Sequence, residues 1–157
     1  MNGAVIRQAT PDDVTRIAAI ARAAYAKYIP RMGREPSTVR ADFAGEVAAG
    51  RIVVIEVAGT VQGYLLAWPK DDAYWVDNVA VDPACQGQGL GHQLMNRAAA
   101  EAKDHQLPAV RLCTNIAFSE TFEFYSRMGF VETHRAPEPG RYLIHMVLQL
   151  DPLGSES

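Results

Sequence analysis

Three glycines at alternate positions, Gly87, Gly89 and Gly91, join an apolar run ending in Val79-Ala80-Val81-Asp82-Pro83 to an amphipathic run opening at Leu90. A strand that turns through glycines into a helix makes a cradle for an anion. The glycines let backbone N–H groups converge, and the helix N-terminus adds its partial positive charge. The stretch Gln86-Gly87-Gln88-Gly89-Leu90-Gly91-His92 therefore reads as a phosphate-binding loop. Two nucleotide readings of it fail. A Walker loop needs Lys followed by Ser or Thr after the last glycine, where this chain has His92-Gln93. A dinucleotide fingerprint needs a further glycine where His92 or Leu94 stands.

Other side chains are suited to moving protons. His145 interrupts the last apolar run between Leu143 and Val147, and an ordinary imidazole pKa of about 6.5 suits a base. A satisfied core histidine is the alternative. Asp77 is a carboxylate inside an apolar run, either a surface charge or a group facing a cleft. Strand alternation puts it on one face with Val79. Tyr125 shares a helical face with Phe118, Phe122 and Met128, as a core aromatic does. Cys85 lies beside the loop without a third orienting group and reads as a loop cysteine. The four histidines, 92, 105, 134 and 145, show no ligand spacing, so no metal is expected.

The elements that must position these groups follow from periodicity. Residues 4–9 read as a strand. Thr10-Pro11-Asp12-Asp13 reads as a helix start. Val14, Ile17, Ala18, Ala21, Ala24, Tyr25 and Tyr28 make the face of that helix, and Pro30 is expected to stop it. Ser37 is expected to cap a second helix carrying Val39, Phe43 and Val47, ended by Gly50. Runs 52–57 and 61–68 flank Ala58-Gly59-Thr60 as a hairpin, and Pro69-Lys70-Asp71-Asp72 breaks the chain before a strand at 74–81. A helix at 90–103 aligns Leu90, Leu94, Ala98 and Ala102. A strand at 110–113 precedes a helix at 116–128, with Asn115 as its N-cap and Gly129 as its stop. Strands at 130–133 and 142–150 close the chain around Ala136-Pro137-Glu138-Pro139-Gly140.

Strands and helices mixed in this order make an α/β (mixed α+β) chain. With 157 residues and 48% hydrophobic side chains, it supplies one core. Residues 1–150 are expected to form one domain and 151–157 a short polar tail. A formal net charge of −3 offers no footprint for nucleic acid or an anionic membrane, and neither is an expected partner. The apolar runs are too short to span a bilayer, and the first residues lack the pattern of a secretory leader. Two cysteines outside any paired motif point to a reducing cytoplasm.

The segment Gln86-Gly87-Gln88-Gly89-Leu90-Gly91 resembles the Gln/Arg-x-x-Gly-x-Gly/Ala signature of the GNAT superfamily of acyl-CoA-dependent N-acetyltransferases. Its flanks, Ala80-Val81-Asp82-Pro83 and Leu94-Met95, fit as well. Tyr125 followed by Met128-Gly129-Phe130 resembles the family's second block, and Asn115 resembles the Asn that opens it. The resemblance implies a single-domain GNAT-like fold, a central mixed and mostly antiparallel sheet flanked by about four helices. It implies acetyl-CoA as co-substrate, with its pyrophosphate on Gln86 to His92 and its pantetheine along the backbone of Val79, Ala80 and Val81. A backbone N–H there would stabilise the thioester oxygen, Asn115 would reach the pantetheine, and Tyr125 would protonate the departing sulfur. The acetyl group would pass directly to a primary amine of a small molecule or protein, with Asp77 or His145 as the base. Tyr25, Tyr28, Arg31 and Arg34 fall where the family keeps its acceptor-side wall. Family members often pair, so a homodimer is compatible with this reading. The alternative is a CoA-binding sensor or interaction module of the same fold without turnover.

Overall fold

The computed structural model describes residues 3–33, 36–138 and 141–150. Before the first helix, Thr10 N–H donates to Asp13 Oδ2 over 2.8 Å and Asp13 N–H donates to Thr10 C=O over 2.9 Å. This reciprocal pair satisfies N–H groups that a helix start otherwise leaves open. Helix α1 (Val14–Tyr25) buries Ile17, Ile20, Ala21 and Tyr25. It ends earlier than the apolar pattern predicts, because a tight turn, Ala26–Tyr28, follows it. Pro30 then lies in the first turn of the short helix α2 (Ile29–Met32). A proline lacks only an N–H that a first turn does not use, so Pro30 starts a helix instead of stopping one.

The second predicted helix is also divided. Ser37–Arg40 is a single tight turn, Ala41 is extended, and helix α3 (Phe43–Ala48) is capped by Asp42, which accepts the Gly45 N–H over 3.1 Å. Val39, Phe43 and Val47 are buried as their spacing predicts.

Strand β1 (Ala4–Gln8) pairs antiparallel with β2 (Ile52–Val57), and β2 pairs antiparallel with β3 (Thr60–Lys70). At the hairpin, Ala58 and Gly59 have φ of +53° and +82°, the left-handed pair that a two-residue connection requires. Pro69 falls inside β3. The turn into β4 (Ala73–Val81) is made by Asp71, at φ +56°, since Asp tolerates that region better than most residues. Helix α4 (Leu90–Asp104) buries Leu90, Leu94, Ala98 and Ala102. Strand β5 (Ala109–Asn115), helix α5 (Ser119–Arg127), and strands β6 (Val131–Glu138) and β7 (Arg141–Gln149) complete the chain.

The strands form a mixed seven-stranded sheet in the order β1-β2-β3-β4-β5-β7-β6. The chain gathers into two compact units, Met1–Ala67 with Asn78–Met95, and Trp68–Asp77 with Asn96–Ser157. In the first, Ile17, Ile20, Ile52, Val54, Ile55, Tyr64, Leu66, Leu90 and Leu94 are almost wholly buried. Gly63 belongs to the same unit, where a Cβ would stand 2.9 Å from the Ala80 carbonyl oxygen. In the second, β4 and β5 pair parallel from Tyr74↔Val110 to Val76↔Leu112, and β5–β7 and β6–β7 are antiparallel.

One site residue is placed differently from its expected local role. Asn115 closes β5 instead of capping α5, which begins at Ser119. Its Oδ1 accepts the Ala117 N–H over 2.9 Å, a local turn that short polar side chains make as readily as a helix cap. The predicted 151–157 tail, Arg34, and Pro139-Gly140 of the last predicted turn lie outside the described residues. Among the described residues, no helix is long and apolar enough to cross a membrane.

Candidate active site

In the first unit, β4 runs directly into the glycine loop. Asp82, its first residue past the strand, anchors the entry. Its Oδ1 accepts the Ala84 N–H over 3.0 Å, and its Oδ2 accepts from Arg16 of α1 over 2.8 Å. Arg16 also donates to Val61 C=O and Gln62 Oε1, over 2.8 and 3.0 Å. The Ala84 N–H and, next, the Arg16 guanidinium hold the Asp82 carboxyl below its usual range. A depressed folded pKa stabilises the fold above the ordinary carboxylate value of about 3.9, and that contribution is lost as pH falls through the folded value. Asp82→Asn should therefore lower the melting temperature near neutrality, with the gap to the parent closing in strong acid. A gap that is constant with pH would contradict the clamp.

Beyond Asp82 the loop needs glycine for its backbone. Gly87 and Gly89 have φ of +85° and +81°, and a Cβ on either would meet no atom within 4 Å. The requirement is thus left-handed backbone over open space, where a Cβ would occupy room available to a ligand. The Gln93 N–H donates to Gly89 C=O over 3.0 Å. By helix geometry, the N–H groups of Leu90, Gly91 and His92 then lack acceptors within their own helix. Gln86, Gly87, Gln88, Gly89 and His92 are exposed, while Leu90 is buried and anchors the turn. Helix-start N–H groups, positive-φ glycines and a fifteen-residue helix behind them have the chemistry to hold an anion.

The strand before the loop is held from α1. The Tyr25 hydroxyl lies 3.1 Å from Asn78 Oδ1 and 3.2 Å from the Val79 carbonyl oxygen. Asn78, only 3% exposed, donates from Nδ2 to Thr38 C=O over 3.1 Å. The Val81 carbonyl accepts from Gln86 Nε2 over 3.3 Å. Asn78 was not anticipated from sequence, although a signal existed, since parity places it on the buried face with Val76 and Ala80. Asn78→Ala should cost about 1–3 kcal/mol, because it deletes the hydrogen bonds to Tyr25 and Thr38. Chemical denaturation measures this, and a change near zero would remove Asn78 as the tie between α1 and β4. Tyr28 is 2% exposed and so belongs to the core, with the Arg31 guanidinium 4.9 Å from its ring centre.

The second unit holds the other candidate residues. Tyr125 is 8% exposed, its ring centre 5.7 Å from that of Phe130 and 5.4 Å from that of Phe124. Asn115 is buried at 9%. Trp75 pairs with Arg111, so Asp77, two residues on, shares the face of Arg111 and Cys113. Cys113 stands opposite His145 on β7. The two rival bases therefore lie on one face of this unit's sheet. Asp77 is exposed and His145 half-buried. Cys113 Sγ lies 3.1 Å from His145 Nδ1, a partner that the sequence reading missed. Among the described residues, no group of three or more His, Cys, Asp or Glu side chains is placed to hold a metal ion.

Comparison with known proteins bears on the family and the fold. A family model described as an acetyltransferase (GNAT) domain matches residues 48–132, more than half of the chain. An amino-acid acetyltransferase of Mycobacterium tuberculosis is 42% identical over 62 residues, 40% of this chain and 33% of that protein. The matched stretch thus spans about a third of that relative's length. A PaiA N-acetyltransferase from Thermoplasma acidophilum, in complex with coenzyme A, superposes with a TM-score of 0.80 at 15% identity, over 94% of this chain and 99% of that one. A GCN5-related N-acetyltransferase from Rhodopseudomonas palustris gives 0.80 at 18% identity, over 96% and 98%. At such identities the superpositions establish the fold, and the family match over the loop and its flanking elements establishes the kinship. The chain belongs to the GNAT acetyltransferase family, whose members are acyltransferases.

Proposed function

We propose that this protein is an N-acetyltransferase that moves the acetyl group of acetyl-CoA directly to a primary amine, with residues 1–150 as the working domain and 151–157 as a tail. The observation that carries the reading is the glycine pair at φ +85° and +81° between β4 and α4. In this reading the pyrophosphate sits on Gln86, Gly87, Gln88, Gly89, Leu90, Gly91 and His92, and the pantetheine follows the backbone of Val79, Ala80 and Val81. A backbone N–H there takes the developing charge of the thioester oxygen, and Asn115 contacts the pantetheine. Tyr125 returns a proton to the leaving sulfur.

The acceptor must lose a proton, since an alkyl ammonium with a pKa of about 10.4 is almost wholly charged at neutrality. Asp77 and His145 are the two proposed bases. Removing the true base should lower kcat/KM and flatten the acidic limb of its pH profile, while removing the other leaves that limb in place. If Asp77→Asn and His145→Gln both retain rate and profile, neither is the base.

The name of the Mycobacterium tuberculosis relative makes amino acids the first acceptors to try, followed by polyamines, antibiotic amines and peptide N-termini. The proposed setting is the cytoplasm, where cysteines outside any disulfide, such as Cys85 and Cys113, stay reduced. A second copy of the chain is the remaining partner to test, by sedimentation. Release of CoA thiol across this amine panel tests the proposal. Amine-dependent release supports it, and binding of acetyl-CoA without release across the panel supports the sensor alternative.

A further inference from the structure

Three side chains stand in one row across the second unit's sheet. Cys113 on β5 faces His145 on β7, and His145 faces His134 on β6. The Cys113 Sγ lies 3.1 Å from His145 Nδ1 and 3.6 Å from its Nε2. The two imidazoles stack, with ring centres 4.1 Å apart and planes 11° from parallel. His134 Nδ1 lies 3.0 Å from Thr133 Oγ1. Stacking and side-chain hydrogen bonding thus fix the imidazole that meets the sulfur. Cys113 is reduced and half-buried.

A thiol within hydrogen-bond reach of an imidazole can pass its proton across, and the resulting imidazolium stabilises the thiolate. Among the described side chains, Arg111 and Asp77 share this face, and the Lys70 ammonium lies 4.8 Å from the centre of the Trp75 ring on it. Arg111, two residues earlier on β5, favours the thiolate, and the exposed Asp77 of β4 opposes it. Water screens the field of the solvated Asp77 carboxylate.

We propose that Cys113 is a histidine-activated thiol that exchanges with low-molecular-weight disulfides, His145 holding its proton. The thiolate attacks one sulfur of R–S–S–R. A new S–S bond forms to Cys113, the old one breaks, and R–S⁻ leaves and takes up the proton held on His145. The Cys113 sulfur is oxidised and the departing sulfur reduced, so the disulfide itself is the oxidant. The step uses no acetyl-CoA, and while His145 holds this proton it cannot serve as base for an amine, which leaves Asp77 for that role.

Cys85, the other cysteine and also half-buried, is an internal reference. An activated thiol gains thiolate population but loses intrinsic nucleophilicity, so its advantage grows toward acid pH. The test compares Cys85→Ser, which keeps Cys113, with Cys113→Ser, which keeps Cys85. Each reacts with oxidised glutathione, and the adduct is counted by intact mass. At about pH 5.5, Cys113 should exchange roughly tenfold faster than Cys85, the gap closing and then reversing in mild alkali, where an ordinary thiol is itself ionised and the more nucleophilic. His145→Gln or His145→Asn, in the Cys85→Ser background, should bring Cys113 to the profile of the reference thiol. The proposal is overturned if the Cys113 rate drops about tenfold per pH unit below neutrality like an ordinary thiol. It is equally overturned if a folded His145 variant keeps the acid-side rate. The profile of the protein with His145 intact decides alone should both variants fail to fold.

Discussion

Acetyl-CoA should raise the melting temperature by about 5–10 °C when present at roughly a hundred times its dissociation constant, and Gly89→Val should abolish the rise. Mass action at that excess is worth about 2.7 kcal/mol, and a domain of this size gains about 2–4 °C per kcal/mol. Valine at Gly89 does two things. It strains a backbone held at φ +81°, and it fills open space above the loop with a branched side chain. The variant itself will therefore melt lower, and the ligand-induced shift must be read within each protein. Gly59→Val supplies the control, since Gly59 sits at φ +82° in the β2–β3 hairpin and is strained to the same degree by substitution. It should keep the full shift. A full shift in Gly89→Val would remove the phosphate from this loop.

Tyr125→Phe should lower kcat by about a hundredfold with the KM for acetyl-CoA little changed, as expected for a proton delivered only in the transition state. The ring packing on Phe130 and Phe124 survives the substitution. Stability should change by no more than about 1 kcal/mol, the worth of one hydrogen bond. Steady-state kinetics on the folded variant decides it, and full activity would return Tyr125 to the role of a core aromatic.

The parts of the fold legible in the sequence are those governed by short-range rules. The Gly87–Gly89 spacing marks left-handed backbone that only glycine adopts freely, and Leu90, Leu94, Ala98 and Ala102 mark a buried helical stripe, whatever lies elsewhere in the chain. What escaped depends on distance. The Arg16–Asp82 clamp joins residues 66 apart, and Cys113–His145 joins residues 32 apart through β-strand register. No periodicity reports such pairs. Asn78 shows a third failure, because alternation gives the side a residue faces but not the depth it reaches. Pro30 and Asn115 show a fourth. Proline both starts and stops helices, and Asn serves both helix caps and local turns, so residue type alone leaves the choice open.

The most direct measurement follows the acetyl group itself. The protein is incubated with acetyl-CoA carrying an isotopically labelled acetyl group and with the amine panel, and products are identified by mass spectrometry. Labelled acetyl is expected on the nitrogen of at least one amine, with one CoA thiol released for each product formed, and neither from Gly89→Val. Acetyl-CoA bound by the protein yet left intact, with no labelled amine in any mixture, would contradict it.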